Sequence, residues 1–107
     1  MAIAESFGLQ LTRNRTGPVV LLSGELDLAA APHLRACLLE RADQYVTLDF
    51  SDVTFVDSTA IGILLAATKR MREAGGALVL HGVQPRQLRV LRITGVVDFL
   101  MFDAASS

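Results

Sequence analysis

The sequence predicts an α/β fold: a mixed β-sheet of about four to five strands with helices packed mainly on one face. The 107 residues are 51% hydrophobic and 20% charged, which is typical of a folded chain rather than a disordered one. A short turn joins the first two apolar segments, which favours an antiparallel hairpin. Helical and strand patterns then alternate in the order β-β-α-β-α-β-α-β, which favours parallel crossovers. Since this length is common for one domain, we expect residues 1–107 to form a single domain.

The opening hairpin is predicted from an alternating segment, a turn and an apolar segment. In segment 7–13 the apolar residues Phe7, Leu9 and Leu11 alternate with Gly8, Gln10 and Thr12, which is the period of a strand with one buried face. Residues 15–18 have the composition of a turn, and residues 19–22 are a continuous apolar strand.

The middle of the chain predicts one helix and one strand. Pro32 suits the first turn of a helix over residues 32–42, and Cys37 lies on its apolar face. We interpret this cysteine as a small core residue rather than a redox group. Residues 45–50 alternate as a strand that turns Asp49 away from the apolar side, so one face of the sheet should be wetter.

Residues 51–57 are predicted to form a loop with Phe55 and Val56 turned inward. A long helix should follow over residues 58–74 and stop at the glycine pair that comes next.

The last third of the chain predicts two strands around a helix. Residues 77–82 form the next strand, Pro85 opens a helix that ends near Gly95, and residues 96–102 supply a last short strand before a polar tail.

The charge balance and the single cysteine exclude several classes of protein. Ten basic and eleven acidic side chains leave a net charge of -1, which gives no long-range attraction to nucleic acid or to an anionic membrane. No apolar run is long enough to span a bilayer, no amino-terminal stretch resembles a secretory signal, and one cysteine cannot form an internal disulfide. We expect a cytoplasmic protein with no nucleic-acid or membrane partner and no cofactor or metal.

The segment with the most chemistry is Asp57-Ser58-Thr59 at the predicted start of the long helix. Asp57 is suited to be the N-cap, but one cap oxygen suffices, so a hydroxyl is left over. A phosphate on Ser58 or Thr59 would lie in the favourable field of the helix start. Gly62, inside the helix, costs about 1 kcal/mol relative to alanine, so it predicts close approach by the adjacent strand or by a partner.

Three segments together resemble a known family. Residues 24–27 (Gly-Glu-Leu-Asp), 57–62 (Asp-Ser-Thr-Ala-Ile-Gly) and 88–96 resemble signature stretches of the anti-sigma factor antagonists, the bacterial members of the STAS domain family. The resemblance covers nearly the whole chain in the family's order, and implies one STAS domain with a STAS-like sheet.

The resemblance also implies a partner-switching mechanism. The unphosphorylated antagonist would bind an anti-sigma factor of the GHKL serine-kinase class and free a sigma factor. The kinase would then phosphorylate Ser58 and dissociate, and a PP2C-type phosphatase would restore the serine. The matching positions imply partner contacts at Asp27, Asp57, Thr59, Ile61 and Gly62.

Two departures from the family pattern affect these expectations. Ala60 stands where the family often has glycine. The family's last helix is expected to be short or missing here, which would expose Phe99 and Met101 and favour self-association, so we expect a monomer or a weak dimer.

Three other functions compete with this one. A serine hydrolase would use Ser58 with His33 or His81, but Val56 and Ala60 flank the serine where a nucleophile elbow needs glycines. A phospho-aspartate receiver would use Asp52 or Asp57 as the acceptor. Receivers resemble one another in an acidic pair after the first strand and in a lysine after the last strand, and this sequence has neither. A STAS module that acts as a scaffold or sensor without phosphorylation remains the alternative.

A stripe of arginines on the third predicted helix is interpreted as a solvated face, with an acidic partner as the alternative. Its members are Arg86, Arg89 and Arg92.

Overall fold

The computed structural model describes residues 7–103. Within this range the strands are β1 (Phe7–Asn14), β2 (Gly17–Leu26), β3 (Tyr45–Val56), β4 (Ala77–His81) and β5 (Met101–Phe102). The helices are α1 (Ala31–Leu39), α2 (Ser58–Glu73) and α3 (Pro85–Ile93), with a single 3-10 turn at Val97–Phe99. None of these described helices has the length and hydropathy needed to cross a bilayer.

The five strands form one sheet in the order β1-β2-β3-β4-β5. β1 pairs antiparallel with β2, and the other neighbours are parallel. Parallel strands joined through a helix are almost always connected with a right-handed crossover. Because the strand order follows the chain order, α1, α2 and α3 all lie on one face of the sheet, which confirms the predicted architecture.

The hydrophobic core lies between that face and the helices. Val20, Leu48 and Leu80 are neighbours across β2, β3 and β4 and are fully buried. α1 and α2 cover them with Leu34 and Leu64, each also fully buried. Full burial of a leucine stabilises the fold by roughly 1.5–3 kcal/mol, so these contacts fix how the helices sit on the sheet.

The opposite face of the sheet is only partly exposed to solvent. Gln10 is exposed and Asp49 is half-buried on that face, as the alternation predicts. The adjacent cross-strand row of Val19, Thr47 and Val79 is nevertheless buried.

The prediction of a loop at residues 51–57 was wrong, because β3 continues to Val56 beside an equally extended β2. Two register shifts, between Leu21 and Ser23 and between Gly24 and Glu25, show where β3 carries extra residues. Such bulges break the period of two that identifies a strand in a sequence. Phe55, expected to turn inward, is 50% exposed, whereas Val56 packs against the core.

α2 and α3 end close to the glycines that predict their ends. α2 closes with Gly76 N–H donating to Met71 C=O at 2.8 Å, and Gly75 has a φ of +89°, which favours glycine. α3 ends two residues before Gly95, whose φ is +78°. α1 has no such glycine and ends at Leu39, three residues before the predicted end.

The prediction of a strand over residues 96–102 was largely wrong. Val96 N–H closes α3 by donating to Leu91 C=O at 3.0 Å, and the chain then makes the 3-10 turn. Only Met101–Phe102 pairs with β4. The polar tail from residue 104, and with it the prediction of a short or missing C-terminal helix, lies outside the described residues.

Candidate phosphorylation and partner-binding site

The carboxyl ends of β2 and β3 lie side by side and bring the two motif aspartates to one edge of the sheet. Leu26 and Val56 form the last register pair, and the N–H of Asp57 donates to the C=O of Leu26 at 3.1 Å. Asp27 and Asp57 therefore follow directly on adjacent parallel strands, although about thirty residues separate them in the chain.

Asp57 is the N-cap of α2, as predicted. Its backbone is extended, with φ -102° and ψ 179°, and its Oδ1 accepts the N–H of Ala60 at 3.0 Å. Its C=O accepts the N–H of Ile61 at 3.1 Å. The carboxylate is thus held against the first turn of the helix.

Asp27 has a similar structural role in front of α1, which the sequence analysis missed. Its Oδ1 accepts the N–H groups of Ala29 and Ala30, both at 3.1 Å. An aspartate between a strand and a helix-opening proline is a signal for such a turn. Both acidic side chains at this edge are therefore oriented by backbone hydrogen bonds.

Ser58 is exposed at the first position of α2. Within residues 7–103 its hydroxyl makes no hydrogen bond, and the N–H groups of Ser58 and Thr59 have no acceptor. Free N–H groups at a helix start carry partial positive charge. The hydroxyl is therefore accessible, and an added anion there would meet a favourable local field.

The other predicted contact residues differ in exposure. Thr59 is half-buried, and Ile61 is buried in the core with 7% of its surface exposed. Gly62 is exposed, and a Cβ at this position would meet nothing within 4 Å. Packing against the adjacent strand, one of the two predicted reasons for Gly62, is therefore wrong. Their roles as partner contacts stay predictions.

Two exposed apolar side chains lie next to the aspartates. Leu28 follows Asp27 and is 70% exposed, and Phe55 precedes Asp57 by two residues and is 50% exposed. Sequence analysis missed this surface because an apolar residue near a strand end normally predicts burial. Exposed apolar side chains beside oriented polar groups are typical of a protein-binding surface.

Two glutamine amides at the start of α3, one on its N-cap residue and one in its first turn, hold the irregular part of β3 that leads to Ser58. Gln84 Nε2 donates to the C=O groups of Ser51 at 2.9 Å and Val53 at 3.0 Å. The buried Gln87 donates to the same Val53 C=O at 2.6 Å. A bulge leaves backbone carbonyls without a hydrogen-bond donor on the neighbouring strand, and these two side chains supply the missing donors.

Each histidine contacts a residue other than Ser58. His81 Nδ1 contacts the Asp103 carboxylate at 2.9 Å, and the His33 ring stacks on Phe7 with centroids 6.5 Å apart. The His81 register partner on β3 is Asp49, eight residues before Asp57. Within residues 7–103, neither histidine hydrogen-bonds to the Ser58 hydroxyl as the hydrolase alternative would require.

Cys37 behaves as the predicted core residue. It packs against the core, and burial raises the pKa of its thiol, an effect that Arg41 opposes and Glu40 adds to.

Across residues 7–103 no group of three or more metal-ligating side chains comes together. The arginines of the third helix are all exposed, as the solvated-face interpretation predicts.

Comparison with known proteins identifies the family. The family described as "Mlab, STAS domain" matches residues 9–101, so the chain belongs to the STAS domain family. The anti-sigma-B factor antagonist of Bacillus subtilis is 31% identical over 103 residues, which cover 94% of each protein.

Solved structures show the same fold. SpoIIAA, an anti-sigma factor antagonist, in its unphosphorylated form gives a TM-score of 0.72 at 24% identity, over 91% of this chain and 89% of that one. The phosphorylated form of SpoIIAA, described as a Bacillus cell fate determinant, gives 0.68 at 24% identity, over 91% and 92%.

Proposed function

We propose that this protein is an anti-sigma factor antagonist whose unphosphorylated form binds an anti-sigma factor and so frees a sigma factor. The observation that carries the proposal is the exposed, unbonded Ser58 hydroxyl at a capped helix start, beside two oriented carboxylates. The likeness to the Bacillus subtilis antagonist over nearly the whole chain supports it. The protein acts by binding in the cytoplasm rather than as an enzyme.

Phosphorylation of Ser58 by the bound anti-sigma factor switches the antagonist off. The phosphate adds a charge of about -1.5 to -2, which the free N–H groups at the start of α2 tolerate. A docked partner would bury that charge beside Asp57 and Asp27, where like-charge repulsion and desolvation oppose binding. A STAS fold solved in both phosphorylation states supports a switch that leaves the fold in place.

The partner contacts the edge where β2 and β3 end. Asp27, Asp57, Thr59 and Gly62 offer accessible atoms there, while Ile61 contributes mainly by holding α2 on the core. The partner is a serine kinase of the GHKL class, and a PP2C-type phosphatase reverses the modification.

Phosphotransfer tests the proposal directly. Each anti-sigma kinase of the source organism is incubated with the protein and ATP, and the phosphate is located by mass spectrometry. We expect one phosphate, on Ser58. Thr59→Ala should accept it and Ser58→Ala should not.

Pull-down with the same kinase completes the test. Ser58→Ala should retain the kinase and Ser58→Glu should lose it. Stable binding without modification of Ser58 would instead favour the scaffold or sensor function.

A further inference from the structure

A cleft of about 430 Å³ lies between α1 and α2, beside the candidate site. Its lining includes Arg35 and Leu39 on α1, and Gly62, Ile63, Ala66 and Arg70 on α2. Gly62 is one helical turn from Ser58, so the cleft continues the surface that carries the hydroxyl.

Gly62 lines this cleft and, because it has no side chain, leaves space in it. A glycine in a helix interior is unfavourable relative to alanine, and no group within residues 7–103 requires it, since a Cβ would meet none of them within 4 Å. The space above Gly62 is therefore not filled by this part of the chain.

The cleft is lined by apolar surface and two cations. Leu39 is 38% exposed, although it is a large apolar residue. Arg35 and Arg70 are both exposed, and within residues 7–103 neither forms a salt bridge. An arginine without a partner readily forms a bidentate pair with a carboxylate.

The charge changes sign along α2. Its start carries Asp57, with Asp27 nearby, whereas Arg70 lies roughly 18 Å further along the axis, from the rise per residue of a helix. A segment docked along α2 therefore meets acidic groups near Ser58 and basic groups at the far end of the cleft.

We propose that the α1–α2 cleft binds an acidic, apolar segment of the anti-sigma factor, with an apolar side chain over Gly62 and carboxylates that pair with Arg35 and with Arg70. The inference rests on the proposed function and names a second contact for the same partner. A protein segment fits better than a small molecule, because sites for small molecules enclose most of their ligand, whereas most of the residues that line this cleft are exposed.

The first test measures kinase binding in a Ser58→Ala background, so that no phosphate is transferred. Arg35→Glu combined with Arg70→Glu should weaken binding at least tenfold. Arg72→Glu combined with Arg13→Glu is the matched control, because it makes the same charge change at two exposed arginines outside the cleft, one of them in the same last turn of α2. It should leave binding within twofold of the parent.

The second variant separates binding from folding. Gly62→Leu fills the cleft and removes a helix-interior glycine, so it should raise the thermal midpoint while weakening kinase binding at least tenfold. Loss of both stability and binding would indicate a merely structural glycine and overturn the inference.

A third measurement needs no kinase. An acetylated helical peptide of leucine, alanine and glutamate is added to the ¹⁵N-labelled protein at millimolar concentration. It should shift the amide signals of Gly62 and Ala66, and the same peptide with lysine for glutamate should not. The double arginine variant should abolish the shifts.

The outcomes are distinguishable. If Ser58→Glu weakens kinase binding but the arginine and Gly62 variants and the peptide have no effect, the cleft inference is wrong and the proposed function stands. If no kinase binds or modifies the wild type, the proposed function fails, and the peptide experiment then tests whether the cleft binds an acidic, apolar segment. A dimer that Arg70→Glu dissociates would make a second copy the occupant and overturn the inference.

Discussion

Asp57 links the end of the sheet to the start of the helix that presents Ser58. Its N–H donates to Leu26 and its carboxylate accepts the N–H of Ala60, so one residue sets both the position and the direction of α2. The side chain therefore has a structural effect that can be measured apart from any partner.

We predict that Asp57→Ala lowers the free energy of unfolding by about 1 kcal/mol, the usual cost of losing an N-cap. Urea denaturation followed by circular dichroism measures it. Asp57→Asn keeps a cap oxygen, so its free energy of unfolding should fall by only a few tenths of a kcal/mol. An Asp57→Ala variant as stable as the wild type would mean that the cap contributes nothing.

Single residues were predictable where one local rule decides them. The Asp57 cap follows from residue type and position, and the Cys37 assignment follows from the apolar face of its helix. Phe55 and Gly62 were not predictable in this way. Their exposure depends on how far β3 extends and on the empty space between two helices, which are tertiary properties.

Among the elements, β3 differs most from its prediction. Its first half alternates regularly, but two bulges interrupt the pattern after Phe50, and a polar pair at Ser51 and Asp52 then resembles a loop. The strand continues because β2 pairs with it and because α3 supplies side-chain amides to its carbonyls. Sequence periodicity cannot detect support that comes from a distant helix.

Gln87→Leu should weaken that support, because leucine is similar in size to glutamine but has no amide. The Val53 carbonyl would lose its 2.6 Å hydrogen bond and keep the 3.0 Å one from Gln84, and the Gln84 N–H would lose the Gln87 Oε1 that accepts it at 3.1 Å. We predict a loss of about 1–3 kcal/mol in the free energy of unfolding, measured by urea denaturation.

Gln10→Leu is the control for this change. It makes the same substitution at an exposed position of β1, where the expected effect is within about 0.5 kcal/mol. Equal effects at the two positions would show that the α3 amides do not hold β3.

At the scale of the whole molecule, the fold was predictable because element order and handedness constrain it strongly. A hairpin followed by helix–strand units with right-handed crossovers leaves few arrangements, and sequential strand order is the simplest. The C-terminal end was predicted less well. A glycine closes α3 there and a two-residue strand follows, too short for any periodic signal.

That end of the sheet also carries exposed apolar surface. Phe99 is 65% exposed and Met101 is 45% exposed. We predict weak self-association of the wild type at high concentration and its loss in Phe99→Ser, measured by sedimentation equilibrium. Leu11→Ser, at an exposed apolar position on β1, is the control and should leave association unchanged. A wild type that stays monomeric at millimolar concentration would contradict the prediction.

The affinity of the purified anti-sigma kinase for the antagonist with and without phosphate on Ser58 tests the central claim most directly. Isothermal titration with both forms, each confirmed as folded by circular dichroism, gives the two dissociation constants. We predict that the phosphate weakens binding about a hundredfold, equivalent to about 3 kcal/mol. Equal dissociation constants for the two forms would contradict the account.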